Sequence, residues 1–403
     1  MAIIDFDYAA FPGNRDPYPI YAQMRDTGRV LRSSDGAVMV TRYDDVRNTH
    51  ADFSGFSMAA MGGDMMGQIS RADDAVLEEL STDEAVGLAN TLLTIDPPSH
   101  DTIRRVVNRA FTPRSIIDRE ERVREIAREL LAPLAKGEPF DIVTQFAGPL
   151  PTIVIAEMLG VPPEDMYRFV QWSKVTGTDA MSMSAETTRQ FRTELREYFA
   201  AQVADRKKNP TDDLIGRMAA ANDEQVMSDI EVVASCELFL SAGNDTTMRL
   251  LSNMIVALGR HPEQRERLVD DAGLIPNGVE EALRYDPPVQ FLFRASKEEA
   301  VVGDTEIAPG ELVLTMLACA NRDADVFDDA ETFDVGRPDI MHVSFGHGIH
   351  YCIGSPLARQ ESRVGIEELL DVAPTWKVLT SDDDIEYDPT GLLRGPKSFM
   401  VQV

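Results

Sequence analysis

The sequence predicts a mainly α-helical protein with small β-sheets. Apolar residues recur every three or four positions over 119–134 and 191–207, which is the spacing of amphipathic helices. A third stretch, 228–259, is apolar almost all round, and a helix of that kind runs through a protein core. Short apolar runs bounded by turn residues occur near both ends of the chain and indicate the small sheets.

The N-terminal sheet region, about residues 1–50, predicts a helix, a hairpin and a second helix. Two short strands, Val30–Leu31 and Val38–Val40, are separated by Ser33-Ser-Asp-Gly36, a hairpin-turn signal. Asp44-Asp45 then open the second helix, since acidic side chains are favoured in a first turn.

Composition and charge indicate the compartment of the protein and disfavour several classes of partner. The chain carries 39 Lys and Arg against 68 Asp and Glu, and its net charge of −29 disfavours nucleic acid and anionic membranes as partners. Three cysteines, Cys236, Cys319 and Cys352, cannot form a disulfide framework and favour a reducing compartment. The N-terminus has neither a basic segment nor an apolar run long enough to span a bilayer. We expect a cytoplasmic protein, with one domain over 1–403 because no linker divides the chain.

One stretch near the C-terminus, Phe345-Gly-His-Gly-Ile-His-Tyr-Cys-Ile-Gly354, combines glycines with a cysteine. Glycines permit backbone turns and close approaches that a side chain forbids. Cys352 precedes Ser355-Pro356, which predicts a helix start, and a helix N-terminus favours a thiolate. A thiolate of this kind can hold haem iron and promotes O–O cleavage.

The loop has three other interpretations. A cysteine among glycines is often only a small buried hydrophobe. His347, His350 and Cys352 are potential zinc ligands, but three ligands in six residues match none of the usual structural spacings. A cysteine protease would need an orienting Asn or Asp in a recognisable context, and we find none in the sequence.

The centre of the apolar stretch 228–259 carries polar side chains. Asp245 and Thr246 stand side by side where burial makes polar groups costly, so they indicate a function. Glu237 and Arg249 in the same stretch exclude a membrane span.

Two further predicted helices carry charged or polar pairs on one face. His100 and Arg104 lie four residues apart and suit a carboxylate partner. Glu281 and Arg284 lie three apart and can pair bidentately, although such a pair alone is usually a surface feature of little energy.

These segments, in this order, resemble the cytochrome P450 monooxygenases, and specifically their soluble bacterial branch. The pattern Phe345-x-x-Gly348-x-x-x-Cys352-x-Gly354 is similar to that family's haem-binding loop, and the resemblance covers essentially the whole chain. It implies the P450 fold, with a haem sandwiched between the long central helix and the helix after the cysteine loop. The helical core and the loop would span about residues 94–370.

The resemblance implies heme b as cofactor, with Cys352 as the axial thiolate ligand of its iron. Arg294 ends an apolar strand over 290–294 at a position that resembles a propionate ligand. The full set of cofactor-binding residues implied, besides the cysteine, is His100, Arg104, Arg294, His350, Phe345, Gly348 and Gly354.

The resemblance also implies roles for the remaining charged residues. Asp245 would be the acid and Thr246 the alcohol of a pair that relays protons to dioxygen. Bacterial members often have His where this chain has Asn244, which affects the local relay. The three residues implied to form a structural ion cluster behind the haem are Glu281, Arg284 and Arg337.

Seven positions would line the substrate pocket, and all but one are apolar. They are Leu92, Leu93, Leu238, Ala242, Gln290, Leu292 and Leu393. Two aperiodic stretches resemble the segments that cover the family's substrate: 53–93, with Met58, Met61, Met65 and Met66, and the loop 177–184. The methionines are equally consistent with ordinary gap-filling.

The implied activity is hydroxylation of a hydrophobic small molecule such as a terpenoid, steroid, alkyl chain or polyketide. Electrons would come from a ferredoxin with its reductase, or from a flavodoxin, docked on a basic patch such as Arg105, Arg109 and Arg359. We expect a monomer. Two alternatives are a peroxide-driven hydroxylase, which typically has arginine and proline in place of the acid–alcohol pair, and a non-catalytic haem- or ligand-binding accessory protein.

Overall fold

The computed structural model describes residues 2–4, 6, 16–34, 36–59, 86, 89–175, 183–223, 226–387 and 391–403. Met61, Met65 and Met66, and positions 177–182 of the second covering loop, lie outside the described residues. The expected fold class, mainly helical with small sheets, is confirmed.

The helices predicted over 119–134 and 228–259 are observed as Glu120–Leu131 and Asp229–Arg260, whereas the one predicted over 191–207 begins earlier, at Ala185. In chain order the helices are α1 (Tyr18–Thr27), α2 (Tyr43–Ala51), α3 (Ser99–Asn108), α4 (Pro113–Ile117), α5 (Glu120–Leu131), α6 (Pro149–Leu159), α7 (Met166–Ser173), α8 (Ala185–Lys208), α9 (Leu214–Asp223), α10 (Asp229–Arg260), α11 (Pro262–Asp270), α12 (Ile275–Tyr285), α13 (Leu317–Ala320) and α14 (Ser355–Val372).

The strands are short. They are β1 (Ala2–Ile4), β2 (Val30–Ser33), β3 (Val38–Val40), β4 (Phe56–Ser57), β5 (Phe140–Asp141), β6 (Leu292–Ser296), β7 (Ala300–Val302), β8 (Thr305–Ile307), β9 (Leu312–Thr315), β10 (Lys377–Val378) and β11 (Met400–Gln402). They form a six-stranded sheet in the order β1-β2-β3-β9-β6-β4, a three-stranded sheet β10-β11-β5, and the pair β7-β8.

The chain divides into two compact units. One comprises Met1–Ala60, Arg119–Leu150 and Thr246–Val403, and the other comprises Met61–Asp118 and Pro151–Asp245. We call them the first and the second unit. The boundary falls within α10, between Asp245 and Thr246. The expectation of one domain over 1–403 stays a prediction.

The central strands of the six-stranded sheet in the first unit carry buried apolar residues on both faces. The predicted hairpin is confirmed: β2 and β3 pair antiparallel, with Val30 opposite Val40. Because side chains alternate along a strand, Val38 and Val40 pack into one hydrophobic cluster while Met39 packs into another. Apolar residues on both faces therefore anchor the sheet to which β6, the strand with Leu292 and Arg294, belongs.

A buried ion cluster joins α12 to the chain that precedes the cysteine loop. Arg284 donates to both carboxylate oxygens of Glu281, at 2.7 and 2.8 Å, and neither side chain is exposed. Arg337 Nε lies 3.1 Å from the same carboxylate. Arg284 also donates to the carbonyls of Asn321, Ala330 and Thr332. The residues expected to form a scaffold cluster thus share one carboxylate.

Helix α14 carries a buried carboxyl group, Glu361, which is 1% exposed. Burial raises its pKa to about 8. The pKa of Glu361 is thus higher in the folded than in the unfolded state. The contribution of this carboxyl group to stability is therefore fully present below pH ~4.5 and is lost as pH rises toward the folded pKa.

We therefore expect Glu361→Gln to stabilise the protein at pH 8 but not at pH 4.5. At neutral pH the gain in unfolding free energy is on the order of 3 kcal/mol, because each pKa unit is worth about 1.4 kcal/mol. Melting temperatures of both proteins across this pH range measure it. Asp371→Asn, which replaces an exposed carboxylate on the same helix, is the control. A parallel pH profile for wild type and Glu361→Gln would contradict the assignment.

Candidate active site

The cysteine loop, Phe345–Gly354, closes on itself through backbone hydrogen bonds. The amide of Cys352 donates to the carbonyl of Phe345 at 2.9 Å, and the amide of Gly346 donates to the carbonyl of Val343 at 2.8 Å. Gly348 has a φ of +73°, and a Cβ there would lie 2.5 Å from the carbonyl oxygen of His50. This position therefore requires glycine, both for its left-handed backbone and for its closeness to α2.

Cys352 differs from the other two cysteines in its accessibility. Its side chain is exposed, whereas Cys236 and Cys319 are buried. Burial raises the pKa of the Cys319 thiol to about 12 and raises that of Cys236 as well. Cys352 also lies just before the N-terminus of α14, whose first residue is Ser355. Of the three thiols, only Cys352 combines access with an environment that favours a thiolate ligand.

A buried arginine, Arg294, and the histidines His50, His347 and His350 lie beside the loop. Burial, followed by the charges of Arg294, His347 and His350, holds the pKa of His50 well below its usual value. The guanidinium of Arg294 is 4% exposed, donates to the carbonyl of Phe293 at 2.7 Å and contacts the sulfur of Met58. A loop with an accessible thiol and a buried guanidinium beside it fits the needs of a haem, which has one iron and two carboxylates.

The second unit contains the other two residues predicted to bind the haem propionates. His100 and Arg104 lie on one face of α3. The His100 ring is fully buried, and its Nδ1 lies 3.0 Å from the carboxylate of Asp101; Arg104 is half-buried. Their role as propionate ligands stays a prediction.

The residues at the polar centre of α10 differ in their burial and in their hydrogen-bond partners. Asp245 is 8% exposed, and Thr246 follows it on the half-buried side of the helix. Asn244 accepts a hydrogen bond of 2.6 Å from the hydroxyl of Thr152 on α6. Ala242, one turn earlier, is exposed. The asparagine that replaces the more usual histidine thus bonds to a neighbouring helix, and the acid–alcohol pair is intact in the sequence.

The predicted pocket residues are not equally accessible. In the second unit Leu92 is buried, Leu93 is 47% exposed and Leu238 is half-buried. In the first unit Leu292 and Leu393 are half-buried, the latter in a β-bridge with Val289.

The side chain of Gln290 is bonded to scaffold residues. It is 2% exposed, accepts a hydrogen bond from the Tyr21 hydroxyl at 3.2 Å and donates to the carbonyl of Pro287 at 2.7 Å. Its place in the pocket stays a prediction. The backbone amide of Gln290 donates to the carbonyl of Leu392 at 2.9 Å and so ties the segment before β6 to the segment that carries Leu393.

Arg359 is the second residue whose surroundings the sequence concealed. It donates two hydrogen bonds to Glu280, at 2.6 and 2.9 Å, and its guanidinium lies 4.5 Å from the ring centroid of Phe345. Burial, which alone would raise the pKa of Glu280, is outweighed by hydrogen bonds from His342 and Arg359, which lower it to about 2. Arg359 is therefore charge-paired and packs against the cysteine loop, which weakens the case for it as a docking residue.

Sequence reasoning missed His50 entirely. It lies in the last turn of α2, is 3% exposed, and has contacts with Arg294 and Thr315 that are 244 and 265 residues distant in sequence. No local pattern marks such a residue.

Two negative findings bear on the alternatives. Within the described residues, no group of three or more His, Cys, Asp or Glu side chains is arranged to hold a metal ion. In the same part of the chain, no helix is both long and apolar enough to cross a membrane.

Comparison with known proteins gives one family. The family model for Cytochrome P450 matches residues 154–403. The chain is 35% identical to a vitamin D(3) 25-hydroxylase of Pseudonocardia autotrophica over 94% of this chain and 92% of the relative. It is 40% identical to an erythromycin C-12 hydroxylase of Saccharopolyspora erythraea over 68% of this chain and 71% of the relative. The solved structure of CYP109Q5 from Chondromyces apiculatus superimposes with a TM-score of 0.84 at 34% identity, covering 96% of this chain and 95% of that chain.

Proposed function

This chain belongs to the cytochrome P450 family and is a P450 monooxygenase, and from this premise we propose that it hydroxylates a hydrophobic small molecule. One oxygen atom of O2 enters a C–H bond of the substrate, and the electrons come from a separate donor protein. The proposal rests on one observation. The side chain of Cys352 is accessible, and it lies in a glycine-containing loop immediately before a helix.

The family implies haem iron with cysteine thiolate ligation, and Cys352 would hold it here. Arg294 and His350 beside the loop, with His100 and Arg104 on α3, would bind the propionates of heme b. Phe345, Gly348 and Gly354 would shape the backbone around the sulfur, with Arg359 stacked on Phe345. When bound, the haem supplies the activation of dioxygen.

Asp245 and Thr246 supply protons in this scheme. The Asp245 carboxylate, 8% exposed, takes up a proton and passes it toward the hydroxyl of Thr246. Thr246 Oγ1 donates a hydrogen bond toward dioxygen. Asn244, bonded to Thr152, stays outside this path.

The substrate is expected to be hydrophobic. Relatives of this chain are named for hydroxylating vitamin D(3) and erythromycin. Leu238, Ala242, Leu292 and Leu393 offer apolar contacts, and terpenoids, steroids, alkyl chains and polyketides share that requirement. Apolar contacts discriminate weakly between such molecules, because one methylene is worth only ~1–3 kcal/mol.

Product analysis under isotopically heavy dioxygen tests the proposal. Purified protein, a bacterial ferredoxin, its reductase and NADPH would be incubated with vitamin D3, a macrolide, a steroid and a fatty acid. We expect one heavy oxygen atom in the product of at least one class, and none with Cys352→Ser. If the protein accepts electrons and binds a substrate but forms no product, the proposal is contradicted. Turnover with peroxide alone would favour the peroxide-driven alternative.

The electron donor is expected to be a ferredoxin that approaches two exposed arginines, Arg105 on α3 and Arg109 directly after its last residue. We expect Arg105→Glu with Arg109→Glu to slow reduction by the donor about tenfold at low salt and to flatten its salt dependence. Stopped-flow reduction measures this. Arg189→Glu with Lys208→Glu on α8 makes the same charge change at exposed positions and is the control. Equal effects of the two double variants would refute a local docking patch.

A further inference from the structure

We propose that His50 is a positioning residue of the haem site. It is a neutral imidazole that carries its proton on Nε2 and fixes the guanidinium of Arg294. The part of this inference that concerns haem rests on the proposed function, whereas the tautomer and its two hydrogen bonds do not.

The ring of His50 bridges two residues of the six-stranded sheet. Its Nε2 lies 2.8 Å from Oγ1 of Thr315 on β9, and its Nδ1 lies 3.1 Å from Nη2 of Arg294 on β6. All three side chains are at most 4% exposed. Because β6 and β9 are antiparallel neighbours, the ring spans a rigid pair of strands.

The donors and acceptors fix the direction of every bond. A guanidinium has only N–H donors, so His50 Nδ1 must accept from Arg294 and cannot carry a proton. The ring proton is therefore on Nε2 and points to Thr315 Oγ1. That hydroxyl donates its own proton to the carbonyl of Leu292 at 3.1 Å. The result is one directed chain, from Arg294 through His50 and Thr315 to the backbone of β6.

The surroundings exclude the charged ring. An imidazolium would turn Nδ1–H against the guanidinium of Arg294, and the other charged or titratable groups that act on the ring, His347 and His350, are also cation-forming. No carboxylate acts on His50 among the influences resolved for the described residues. A neutral ring is the one state that satisfies all its neighbours.

His50 also contacts the cysteine loop. A Cβ on Gly346 would lie 3.5 Å from His50 Nδ1, and one on Gly348 would lie 2.5 Å from the His50 carbonyl oxygen. The last turn of α2 thus lies against the loop while its histidine ring holds Arg294. His50 therefore sets the distance between the cysteine loop and Arg294, the cation expected to bind a propionate.

Arg294 would lose orientation without this bond. Two of its other hydrogen bonds, to Phe293 and Met58, use Nη1. Removing the acceptor at Nη2 takes away the bond that links this nitrogen, through the ring and Thr315, to β9. We expect haem to be retained less well, while the thiolate ligand itself is unchanged.

Three substitutions separate this role from general packing. Asn places its amide near the Nδ1 position of histidine and can accept from Arg294, whereas Gln places its amide near Nε2 and can reach only Thr315. Phe fills the space without either bond. We expect His50→Asn to lose haem to apomyoglobin at close to the wild-type rate, and His50→Gln and His50→Phe to lose it about tenfold faster, because a charge-assisted hydrogen bond is missing. His261→Gln, outside the site, is the control for histidine removal.

NMR of the histidine ring nitrogens tests the tautomer without reference to activity. In the haem-free or the diamagnetic carbon monoxide form, the His50 signals, identified by their loss in His50→Asn, should report a neutral Nε2–H ring between about pH 6 and pH 8. An Nδ1–H or charged ring would overturn the inference, as would equal haem loss by the Asn and Gln variants. If the variants behave as expected but no substrate is hydroxylated, the proposed function fails and the inference stands.

Discussion

Replacing Thr246 by alanine is expected to separate oxygen consumption from product formation. The substitution removes the hydroxyl that donates toward dioxygen and leaves Asp245 in place. Positioned proton transfer contributes about 10²-fold or more to such reactions, so we expect product per electron pair to fall on the order of a hundredfold. Oxygen uptake and NADPH oxidation should continue, with peroxide released instead of product. An oxygen electrode combined with product quantification measures both quantities.

Thr247→Ala is the matched control for this variant. Thr247 is the next residue of α10 and is 3% exposed, so its loss tests damage to the helix without touching the proposed relay. We expect it to retain coupling. The carbon monoxide spectrum of both variants verifies that haem binding is unchanged. Equal coupling in Thr246→Ala and wild type would remove Thr246 from the mechanism.

Glu281→Gln is expected to destabilise the first unit strongly. The carboxylate balances two buried guanidinium groups, Arg284 and Arg337, and its side chain is fully buried. Removing one partner of a buried ion pair leaves an uncompensated charge and costs about 3–5 kcal/mol. Thermal unfolding of the purified protein measures the loss, and Glu266→Gln, an exposed carboxylate on α11, is expected to change little.

Arg337→Lys covers the case in which Glu281→Gln does not fold. Lysine keeps the positive charge near Glu281 but cannot reproduce the bonds of Arg337 to the carbonyls of Asp329 and Thr332. We expect a melting temperature between those of wild type and Glu281→Gln. A wild-type melting temperature for both variants would show that the cluster is not a stability element.

Local patterns allowed the helices and the hairpin to be predicted. The central helix, expected over 228–259, is observed as Asp229–Arg260, because its apolar character and its ends are encoded within the segment itself. The parallel pairing of β3 with β9, in which Val38 lies opposite Val313, was beyond prediction. Strand pairs this distant in sequence leave no local signal in either strand.

The same distinction applies to the candidate site. The cysteine loop was identifiable because Phe345, Gly348 and Cys352 act together within a few residues. The partners of Gln290 and Arg359, Tyr21 and Glu280, could not be predicted because they are 269 and 79 residues away. The sequence shows that a polar residue is present near a site, but its hydrogen-bond partner decides whether it faces a ligand or the scaffold.

The optical spectrum of the reduced protein under carbon monoxide tests the central claim most directly. We expect wild-type protein to show its Soret band at the long-wavelength position of thiolate-ligated haem iron, and Cys352→Ser to lose that band. Cys319→Ser, which removes a buried thiol, should keep it. A wild-type band at the position of histidine-ligated iron, a persistent thiolate band in Cys352→Ser, or no haem in protein produced with ample iron and haem precursor would contradict the assignment of Cys352 as the ligand.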